Sequence, residues 1–302
     1  MCGICGVVQV RGEPRPVLER DVLDRMTDAM LRRGPDDRGT YEADGVAIGV
    51  RRLSIVDVEG GHQPFANEDG SVWAAQNGEL YNHDVLRREL ERDGHAFRSR
   101  CDTEVLPHLY ERDGDAVPER LRGKFGLVVW DGRRRRALVA RDRLGVKPLY
   151  WALAGDLVVF ASELKSLLAS GLVPTELDHE ALAAYLELGY VPAPRTPLAG
   201  VRKLLPGHRL VVADGRVRAE PYWRFPHPAP ERGRSEAEWA EELEACLDES
   251  VRLRLMSDVP LGAMLSGGLD SSLVVALMAR HSSAPVKTFS VGFVESGDAN
   301  EL

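Results

Sequence analysis

The chain has 302 residues, of which 44% are hydrophobic and 28% are charged, with a formal net charge of −8 and a pI near 5.6. This length predicts about two globular domains, and the acidic balance argues against non-specific nucleic-acid binding, which needs a basic face. No apolar run reaches the ~20 residues of a membrane span, and residues 1–10 lack the basic start of a signal peptide. We therefore expect a cytoplasmic protein that binds neither nucleic acid nor membrane.

The four cysteines begin at the second position of the chain. Cys2, Cys5, Cys101 and Cys246 are too few for a disulfide framework, and they should stay reduced in the cytoplasm. Cys2 and Cys5 form a C-x-x-C pair, but no partner pair follows at zinc-site spacing, so no metal site is predicted. If Met1 is removed, Cys2 carries both a thiol nucleophile and an α-amine whose free pKa, near ~8, suits a general base.

Residues up to about Ser170 contain short β-rich segments interrupted by a few helices. Strands bounded by Gly, Asp or Pro are predicted at 4–10, 46–50, 72–76, 125–131, 137–141, 149–153 and 157–161. Apolar residues at three- and four-residue spacing predict helices at 17–31, 84–92 and 103–111. This order favours layered antiparallel sheets covered by helices. The basic run at 133–136 is interpreted as a solvated hairpin tip between two strands.

A proline-rich stretch follows a helix predicted at 178–188, and there we expect the chain to change domain. Residues 191–234 are predicted to connect the domains, with 226–234 as the most exposed part and a hairpin at 209–219. Ser235 is predicted to cap a helix that continues to Met256, with Glu238 completing a capping box. A buried strand is predicted at 261–265.

The segment LSGGLDSS at 265–272 lies between that strand and an apolar helix predicted at 273–280. Its glycines allow a tight turn and close approach to a ligand, while its serines and helix N-terminal amides suit pyrophosphate. It differs from both G-x-x-x-x-G-K-[ST] and G-x-G-x-x-G, so those nucleotide-binding classes are disfavoured. The plainer interpretation is an ordinary glycine turn after a strand.

This segment resembles the PP-loop of ATP pyrophosphatases, and together with Cys2-Gly3-Ile4 it makes the chain resemble the glutamine-hydrolysing asparagine synthetases. Further similar motifs follow in order along nearly the whole chain: RGPD at 33–36, RLSIVD at 52–57, NGELYNH at 77–83, DTE at 102–104, ARDRLG at 140–145, FASELK at 160–165, MSDVP at 256–260 and FSVGF at 289–293. Arg32 and Lys124 are mild departures, since the family usually has histidine at the first position and often methionine at the second.

The resemblance implies a mixed α/β and α+β architecture. Residues 2–190 would form a class II glutamine amidotransferase domain, an Ntn-hydrolase-type αββα sandwich of antiparallel sheets. Residues 235–302 would form the start of a PP-loop α/β synthetase domain. The implied activity is that of an asparagine synthase (glutamine-hydrolysing), with glutamine, aspartate and ATP as substrates.

The resemblance also implies roles in the first domain. Cys2 would attack the glutamine side-chain amide, giving a thioester and ammonia. The Asn77 side chain and the Gly78 amide would form an oxyanion hole, and we expect these adjacent donors to converge in a turn. Arg52 would hold the glutamine carboxylate and Asp102 its α-ammonium. The implied glutamine site also includes Leu53, Ser54, Ile55, Val56 and Glu79. Plainer interpretations are a surface arginine for Arg52 and a helix N-cap for Asp102.

In the second domain the resemblance implies an ATP site, with Mg²⁺ bridging phosphate oxygens. Aspartate would be activated as β-aspartyl-AMP, and ammonia would displace AMP. The residues implied to bind ATP are the loop residues Ser266, Gly267, Gly268, Leu269, Asp270 and Ser271, with Leu265 and Val291 flanking the adenine.

The length of the chain leaves other functions open. About seventy residues follow the predicted linker, too few for a doubly wound sheet buried on both faces. A C-terminally truncated or split product is therefore expected, which would retain the glutaminase half and pair with a second copy or a complementary synthetase chain. The alternatives are an ATP-dependent amidotransferase acting on another carboxylate and a non-catalytic, partner-binding fragment.

Overall fold

The computed structural model describes residues 2–19, 21–227 and 233–292, and it divides the chain into two compact units, Met1–Phe225 and Pro226–Leu302. Four sets of residues named above therefore lie outside the described residues: Met1, position 20 of the predicted helix at 17–31, positions 228–232 of the predicted linker, and 293–302, including the last residue of the FSVGF motif. Each unit is described by itself below.

Two sheets of six strands each form the centre of the described part of the first unit. In chain order the strands are β1 (Gly3–Gln9), β2 (Asp37–Ala43), β3 (Val46–Arg52), β4 (Phe65–Ala66), β5 (Val72–Leu80), β6 (Gly123–Asp131), β7 (Arg136–Arg141), β8 (Tyr150–Ala154), β9 (Leu157–Ala161), β10 (Val201–Lys203), β11 (His208–Ala213) and β12 (Arg216–Pro221). One sheet has the spatial order β10-β8-β9-β1-β3-β2 and the other β12-β11-β7-β6-β5-β4. Neighbouring strands pair antiparallel in both sheets.

Helices cover the outer faces of the two sheets. They are α1 (Val22–Asp28), α2 (His83–Arg92), α3 (Val105–Asp113), α4 (Val117–Arg120), α5 (Leu164–Ala169) and α6 (His179–Leu188). A middle core of β-branched and aromatic side chains, with Ile48, Trp130 and Phe160 among them, joins the inner faces of the sheets. The outer cores pack α1 and α5 on one sheet and α2 and α3 on the other. This four-layer arrangement confirms the predicted αββα sandwich.

No helix in the described ranges is both long and apolar enough to cross a membrane.

The strands predicted from hydrophobic runs are present, and the basic run lies between β6 and β7 as predicted. Helix α1 is shorter than predicted because Asp21, immediately before it, has φ 69°, a left-handed conformation through which a helix cannot continue. Strands β2, β4 and β10 were not predicted. All three are edge strands, so they are short or expose polar side chains on one face, and apolar periodicity is weak there.

The predicted connecting segment, 191–234, is wrong over residues 191–225. The compact first unit extends to Phe225, and this segment contributes β10, which pairs with β8, and the hairpin β11–β12, which pairs with β7. Prolines suggested a linker, yet Pro206 lies in the turn between β10 and β11, where its fixed φ is compatible with a chain reversal. The hairpin itself was predicted correctly.

The described part of the second unit contains α7 (Glu236–Arg254), β13 (Gly262–Met264), α8 (Leu269–His281) and β14 (Lys287–Phe289). The predicted capping box is present: the Glu238 N–H donates to Ser235 Oγ at 3.3 Å, and the Ser235 N–H donates to Glu238 Oε2 at 2.7 Å. The prediction of a buried strand is wrong, because Met264 is 64% exposed. Within the described residues β13 pairs only with β14, in parallel, whereas burial requires cover on both faces.

Candidate active site

A cavity of about 200 Å³ in the first unit brings together most of the residues predicted to bind glutamine. Its lining includes the predicted residues Cys2, Arg52, Leu53, Ile55, Val56, Gly78, Glu79 and Asp102. It also includes Gln63, Cys101, Lys124 and Lys147, to which the sequence analysis gave no role. The predicted residues Ser54 and Asn77 are not among the lining residues. The Ser54 backbone N–H donates to Asp36 Oδ2 at 2.8 Å, which fixes the adjoining loop.

Strand pairing places Cys2 beside Arg52. Strand β1 pairs antiparallel with β3, with Gly3 opposite Arg51, and continuing this register by one residue sets Cys2 opposite Arg52. The Cys2 carbonyl accepts a 2.9 Å hydrogen bond from Arg33 Nε. The thiol lies 3.7 Å from the carbonyl oxygen of Leu53, and burial raises the pKa of the thiol. A neutral thiol of this kind needs a base before it can attack an electrophile.

Asn77 and Gly78 lie within β5, so the prediction that they converge in a turn is wrong. β5 runs through both residues because it pairs with β6 along its whole length, Gly78 being opposite Phe125. Both ends of the Asn77 side-chain amide are hydrogen-bonded when Nδ2 donates to the Cys2 carbonyl at 2.8 Å and Oδ1 accepts from Arg33 Nη2 at 3.3 Å. The strand therefore positions the Asn77 side chain behind the nucleophile.

The Gly78 N–H lies on the open edge of β5. On that edge the Gln76 N–H donates to Gln63 Oε1 at 2.8 Å and the Leu80 N–H donates to Asp102 Oδ2 at 2.7 Å. Alternate N–H groups of a strand point to the same edge, so the Gly78 N–H points there as well, at the cavity lining. A Cβ at this position would lie 2.2 Å from the Lys124 carbonyl oxygen, so β5 requires glycine here.

Asp102 is 4% exposed and reaches across from the segment before α3 to the open edge of β5. Its Oδ2 accepts from the Leu80 N–H and from Gln76 Nε2 at 2.9 Å, while Oδ1 lies 3.6 Å from Cys101 Sγ. Burial raises the pKa of the Asp102 carboxyl. The N-cap interpretation is wrong: the first turn, Asp102–Glu104, is a 3₁₀ helix capped by Cys101 without a side-chain bond.

Arg52 is buried, which rules out its interpretation as a surface arginine. Its Nη2 donates to the carbonyls of Val56 and Asp57 at 2.8 and 2.7 Å, and its Nη1 donates to the Val58 carbonyl at 3.1 Å. The guanidinium thus holds the loop that forms one wall of the cavity. A bidentate grip on a carboxylate requires at least one of these bonds to be exchanged.

Two lysines that the sequence analysis left without a role also face the cavity. Lys124 pairs across the strands with Glu79, with 3.1 Å between Nζ and Oε2. Lys147 is buried, and this burial lowers the pKa of its ammonium group. Its backbone N–H donates to Asp142 Oδ2 at 2.9 Å. Both lysines line the cavity together with Glu79 and Asp102, so the cavity presents both signs of charge.

The predicted ATP residues lie together in the second unit, around the N-terminus of α8. Gly267 has φ +89°, which permits the sharp turn after β13. Ser266 Oγ lies 3.1 Å from Ser271 Oγ, and the Gly268 N–H donates to Ser266 Oγ at 3.4 Å. Leu265 is joined to β14 through its N–H, which donates to the Phe289 carbonyl at 2.8 Å. The remaining predicted residues, Leu269, Asp270 and Val291, are exposed.

Comparisons with known proteins agree with this division. Residues 1–223 match the family model described as "Glutamine amidotransferase domain", and residues 242–302 match the one described as "Asparagine synthase". The chain is 37% identical over 298 residues to asparagine synthetase (glutamine-hydrolyzing) 1 of Bacillus subtilis (strain 168), across 98% of this chain and 46% of that protein. It is 34% identical over 328 residues to Amidase chyE of Penicillium rubens, across 100% and 48%. The chain thus spans about half the length of the curated relatives it matches.

The fold is similar to that of a solved amidotransferase. The glutamine phosphoribosylpyrophosphate amidotransferase from Bacillus subtilis, complexed with ADP and GMP, superposes with a TM-score of 0.52 at 20% sequence identity. The superposition covers 99% of this chain and 68% of that one. At this level of identity the similarity concerns the fold alone.

Proposed function

The chain belongs to the glutamine amidotransferase domain family, and on that premise we propose that its first unit hydrolyses the side-chain amide of glutamine to glutamate and ammonia. One observation carries the proposal: the Cys2 thiol, the open-edge N–H of Gly78 and the Asp102 carboxylate surround a single cavity. These groups are a nucleophile, an oxyanion donor and a counter-charge for an α-ammonium group.

Cys2 Sγ forms the new bond to the amide carbon of glutamine. Because burial raises the pKa of the thiol, its proton must pass to a base, and the α-amine of Cys2 serves once Met1 has been removed. The oxyanion accepts from the Gly78 N–H, and a second bond from Asn77 Nδ2 requires this buried side chain to turn toward the cavity. Each such donor contributes about 3 to 4 kcal/mol to transition-state stabilisation. The intermediate expels ammonia, which takes the proton from the amine, and water then hydrolyses the thioester to glutamate.

The charges of the cavity select a free amino acid. Asp102 Oδ2 accepts hydrogen bonds from the Leu80 N–H and from Gln76 Nε2. Among the described contacts, Oδ1 lies near only the Cys101 thiol, which is a weak donor, so Oδ1 would accept from the α-ammonium group. Arg52 would hold the α-carboxylate by exchanging one loop bond for it. Lys124 and Lys147 add positive charge to the cavity lining.

The test is glutamate release from glutamine by three proteins. Cys2→Ala should abolish release, whereas Cys246→Ala, which alters an exposed cysteine of the second unit, should retain it. Inserting alanine between Met1 and Cys2 should also abolish release, since it separates the thiol from the terminal amine. Wild-type turnover in Cys2→Ala would refute the nucleophile assignment, and wild-type turnover in the insertion variant would refute only the base.

For the second unit we propose an ATP site that serves asparagine synthesis through β-aspartyl-AMP. The loop 265–272 would bind pyrophosphate with its serine hydroxyls and helix N-terminal amides, and Mg²⁺, when bound there, would neutralise part of the phosphate charge. The turn at Gly267 and the Ser266 and Ser271 hydroxyls support this role, as does the match of residues 242–302. A homodimer or a complementary synthetase chain as partner, and a cytoplasmic location, remain predictions.

Relatives that are named amidases favour an alternative, in which a different carboxylate accepts the ammonia. The same ATP and glutamine chemistry would then amidate a carboxylate other than aspartate. AMP formation with glutamine, ATP, Mg²⁺ and a panel of carboxylic acids separates the two. Asparagine and AMP from aspartate would support synthesis of asparagine. AMP formed only with another acid would support the alternative acceptor. Glutamate without AMP would support the glutaminase activity and contradict both synthetase proposals.

A further inference from the structure

Four side chains with metal-ligating atoms meet outside the glutamine cavity, in the first unit. Glu68 lies in the turn between β4 and β5, His95 follows α2, and His108 and Glu111 are on α3. One ligand atom from each residue lies within 4.8 Å of those of the other three. His108 and Glu111 are three residues apart on one helix, so they share a face, while the other two come from separate loops.

Glu68 holds a central position in this cluster. Its Oε1 accepts from the Ala96 N–H at 2.8 Å and lies 3.2 Å from His95 Nδ1, while its Oε2 lies 3.2 Å from His108 Nδ1. His95 Nδ1 is also 3.9 Å from Glu111 Oε2. The backbone bond fixes the carboxylate between the two imidazoles.

His108 has no satisfactory partner in the described part of the chain. Its side chain is 1% exposed, and neither ring nitrogen makes a hydrogen bond there, since the approach of Nδ1 to Glu68 lacks hydrogen-bond geometry. The ring packs against the rings of His95 and Phe97, with centroids 5.0 and 4.7 Å away. A buried unpartnered imidazole requires an explanation.

We propose that Glu68, His95, His108 and Glu111 bind a divalent transition metal, with Zn²⁺ as the ion that fits best. Zn–N and Zn–O bonds of about 2.0 to 2.1 Å in a tetrahedron set neighbouring ligand atoms about 3.3 Å apart. Each Glu68 oxygen lies 3.2 Å from one imidazole nitrogen, Oε1 from His95 and Oε2 from His108, and His95 Nδ1 lies 3.9 Å from Glu111 Oε2. With one ligand atom from each residue all four atoms lie within 4.8 Å of one another, so side-chain movement alone would close the tetrahedron. Two carboxylates balance the charge of the ion, and two imidazoles favour Zn²⁺ over Mg²⁺ or Ca²⁺.

The site would be structural, because four protein ligands leave no open coordination position. It would join the β4–β5 turn, the loop after α2, and α3. The loop from His95 leads directly to Cys101 and Asp102 in the cavity lining, so the metal would also restrain the segment that carries Asp102. The sequence analysis missed the cluster because its ligands lie at no recognised metal-site spacing.

The experiment is calorimetric titration of Zn²⁺ into the chelator-treated full chain, in a Cys2→Ala background that removes the cavity thiol as a competing ligand. We expect one equivalent of Zn²⁺ to bind, and Co²⁺ to give the intense visible bands of four-coordinate geometry. His95→Gln and Glu111→Gln should each weaken binding by at least about 100-fold, more than loss of an outer-shell partner costs. The matched control is His62→Gln, an exposed histidine 2.9 Å from Asp37, which should bind normally.

Measurement of the Tm provides a second test that does not depend on titration. Zn²⁺ should raise the Tm of the wild-type chain and of His62→Gln. His108→Leu should raise the Tm of the metal-free protein, because it removes an unsatisfied buried group, and should abolish the Zn²⁺-dependent rise. Absence of saturable binding, or full affinity in both His95→Gln and Glu111→Gln, would overturn the proposal. A Zn²⁺-dependent rise retained in His108→Leu would also overturn it.

Discussion

Asp102 combines a proposed role in glutamine binding with a cost in stability. Burial raises the pKa of its carboxyl, so the folded protein holds that proton more tightly than the unfolded chain does. The ionised carboxylate therefore destabilises the folded protein, and this cost appears as the pH rises through the folded-state pKa. A substrate ammonium group would offset the cost when glutamine binds.

Asp102→Asn should separate these two effects. The variant keeps an oxygen for the Leu80 N–H but loses the charge, so the KM for glutamine should rise about 10- to 100-fold, the loss of one charged hydrogen bond. Without ligand, its Tm at pH 8 should equal or exceed that of the wild type, and the difference should shrink as the pH falls toward about 4. An unchanged KM would contradict the ammonium-binding role, and a lower Tm at pH 8 would contradict the burial argument.

The residue types of the glutamine site could be predicted from the sequence, but the source of the oxyanion donor could not. Cys2, Gly78 and Asp102 line one cavity, whereas the fully buried Asn77 lies behind Cys2 and is not among the lining residues. A turn was predicted because adjacent donors converge easily there. In the structure the Gly78 N–H instead lies on the open edge of β5. This edge is open because β4 pairs only with Trp73 and Ala74 of β5, and such pairing between separate strands cannot be predicted from the local sequence.

At the scale of elements, burial decided which predictions were correct. The central strands β1, β6 and β9 have hydrophobic runs because both their faces are covered, and the sequence indicated all three. The edge strands β2, β4 and β10 have no such runs and were missed. The apolar pattern of a strand reflects what its two faces pack against, so this pattern is weakest in strands at the edge of a sheet.

The loop between β7 and β8 is organised by one carboxylate. Asp142 is buried; its Oδ1 accepts from the Val146 N–H at 2.8 Å, and its Oδ2 accepts from the Lys147 and Phe125 N–H groups at 2.9 and 3.2 Å. Asp142→Ala leaves three backbone donors unpaired at about 1 to 3 kcal/mol each, so we expect a loss of about 3 kcal/mol or more in unfolding free energy.

Urea unfolding of the Asp142 variants measures this loss. Asp142→Asn keeps an acceptor oxygen and should lose distinctly less than Asp142→Ala. Because Lys147 is displaced from the cavity lining, Asp142→Ala should also impair glutamate release. Equal stability of Asp142→Ala and the wild type would contradict the proposed role of this carboxylate.

At the scale of the molecule, the sequence indicated two units but placed their boundary too early. Residues 191–225 belong to the first unit, because β10 and β11 complete sheets whose other strands lie far away in sequence. In the described part of the second unit, Val251 and Leu277 are the apolar side chains that are well buried. The two units should therefore differ in local stability.

Amide hydrogen exchange measures this difference. Amides of β13 and β14 should exchange orders of magnitude faster than those of β1 and β5, since the first pair is largely exposed and the second lies in packed sheets. Addition of ATP and Mg²⁺ should slow exchange at 265–272 if the loop binds pyrophosphate. Equal protection of β13 and β1 without ligand would contradict the assigned difference in packing.

The most direct measurement of the central claim is covalent labelling with 6-diazo-5-oxo-norleucine, a glutamine analogue that carries an electrophilic carbon beside the ketone that replaces the side-chain amide. We predict one adduct per chain, located on Cys2 by peptide mass spectrometry, prevented by excess glutamine and absent in Cys2→Ala. Labelling should slow in Asp102→Asn, because the analogue keeps the α-ammonium group. An adduct on Cys5, Cys101 or Cys246 in place of Cys2, or labelling that glutamine does not prevent, would contradict the assignment of Cys2 as the glutaminase nucleophile.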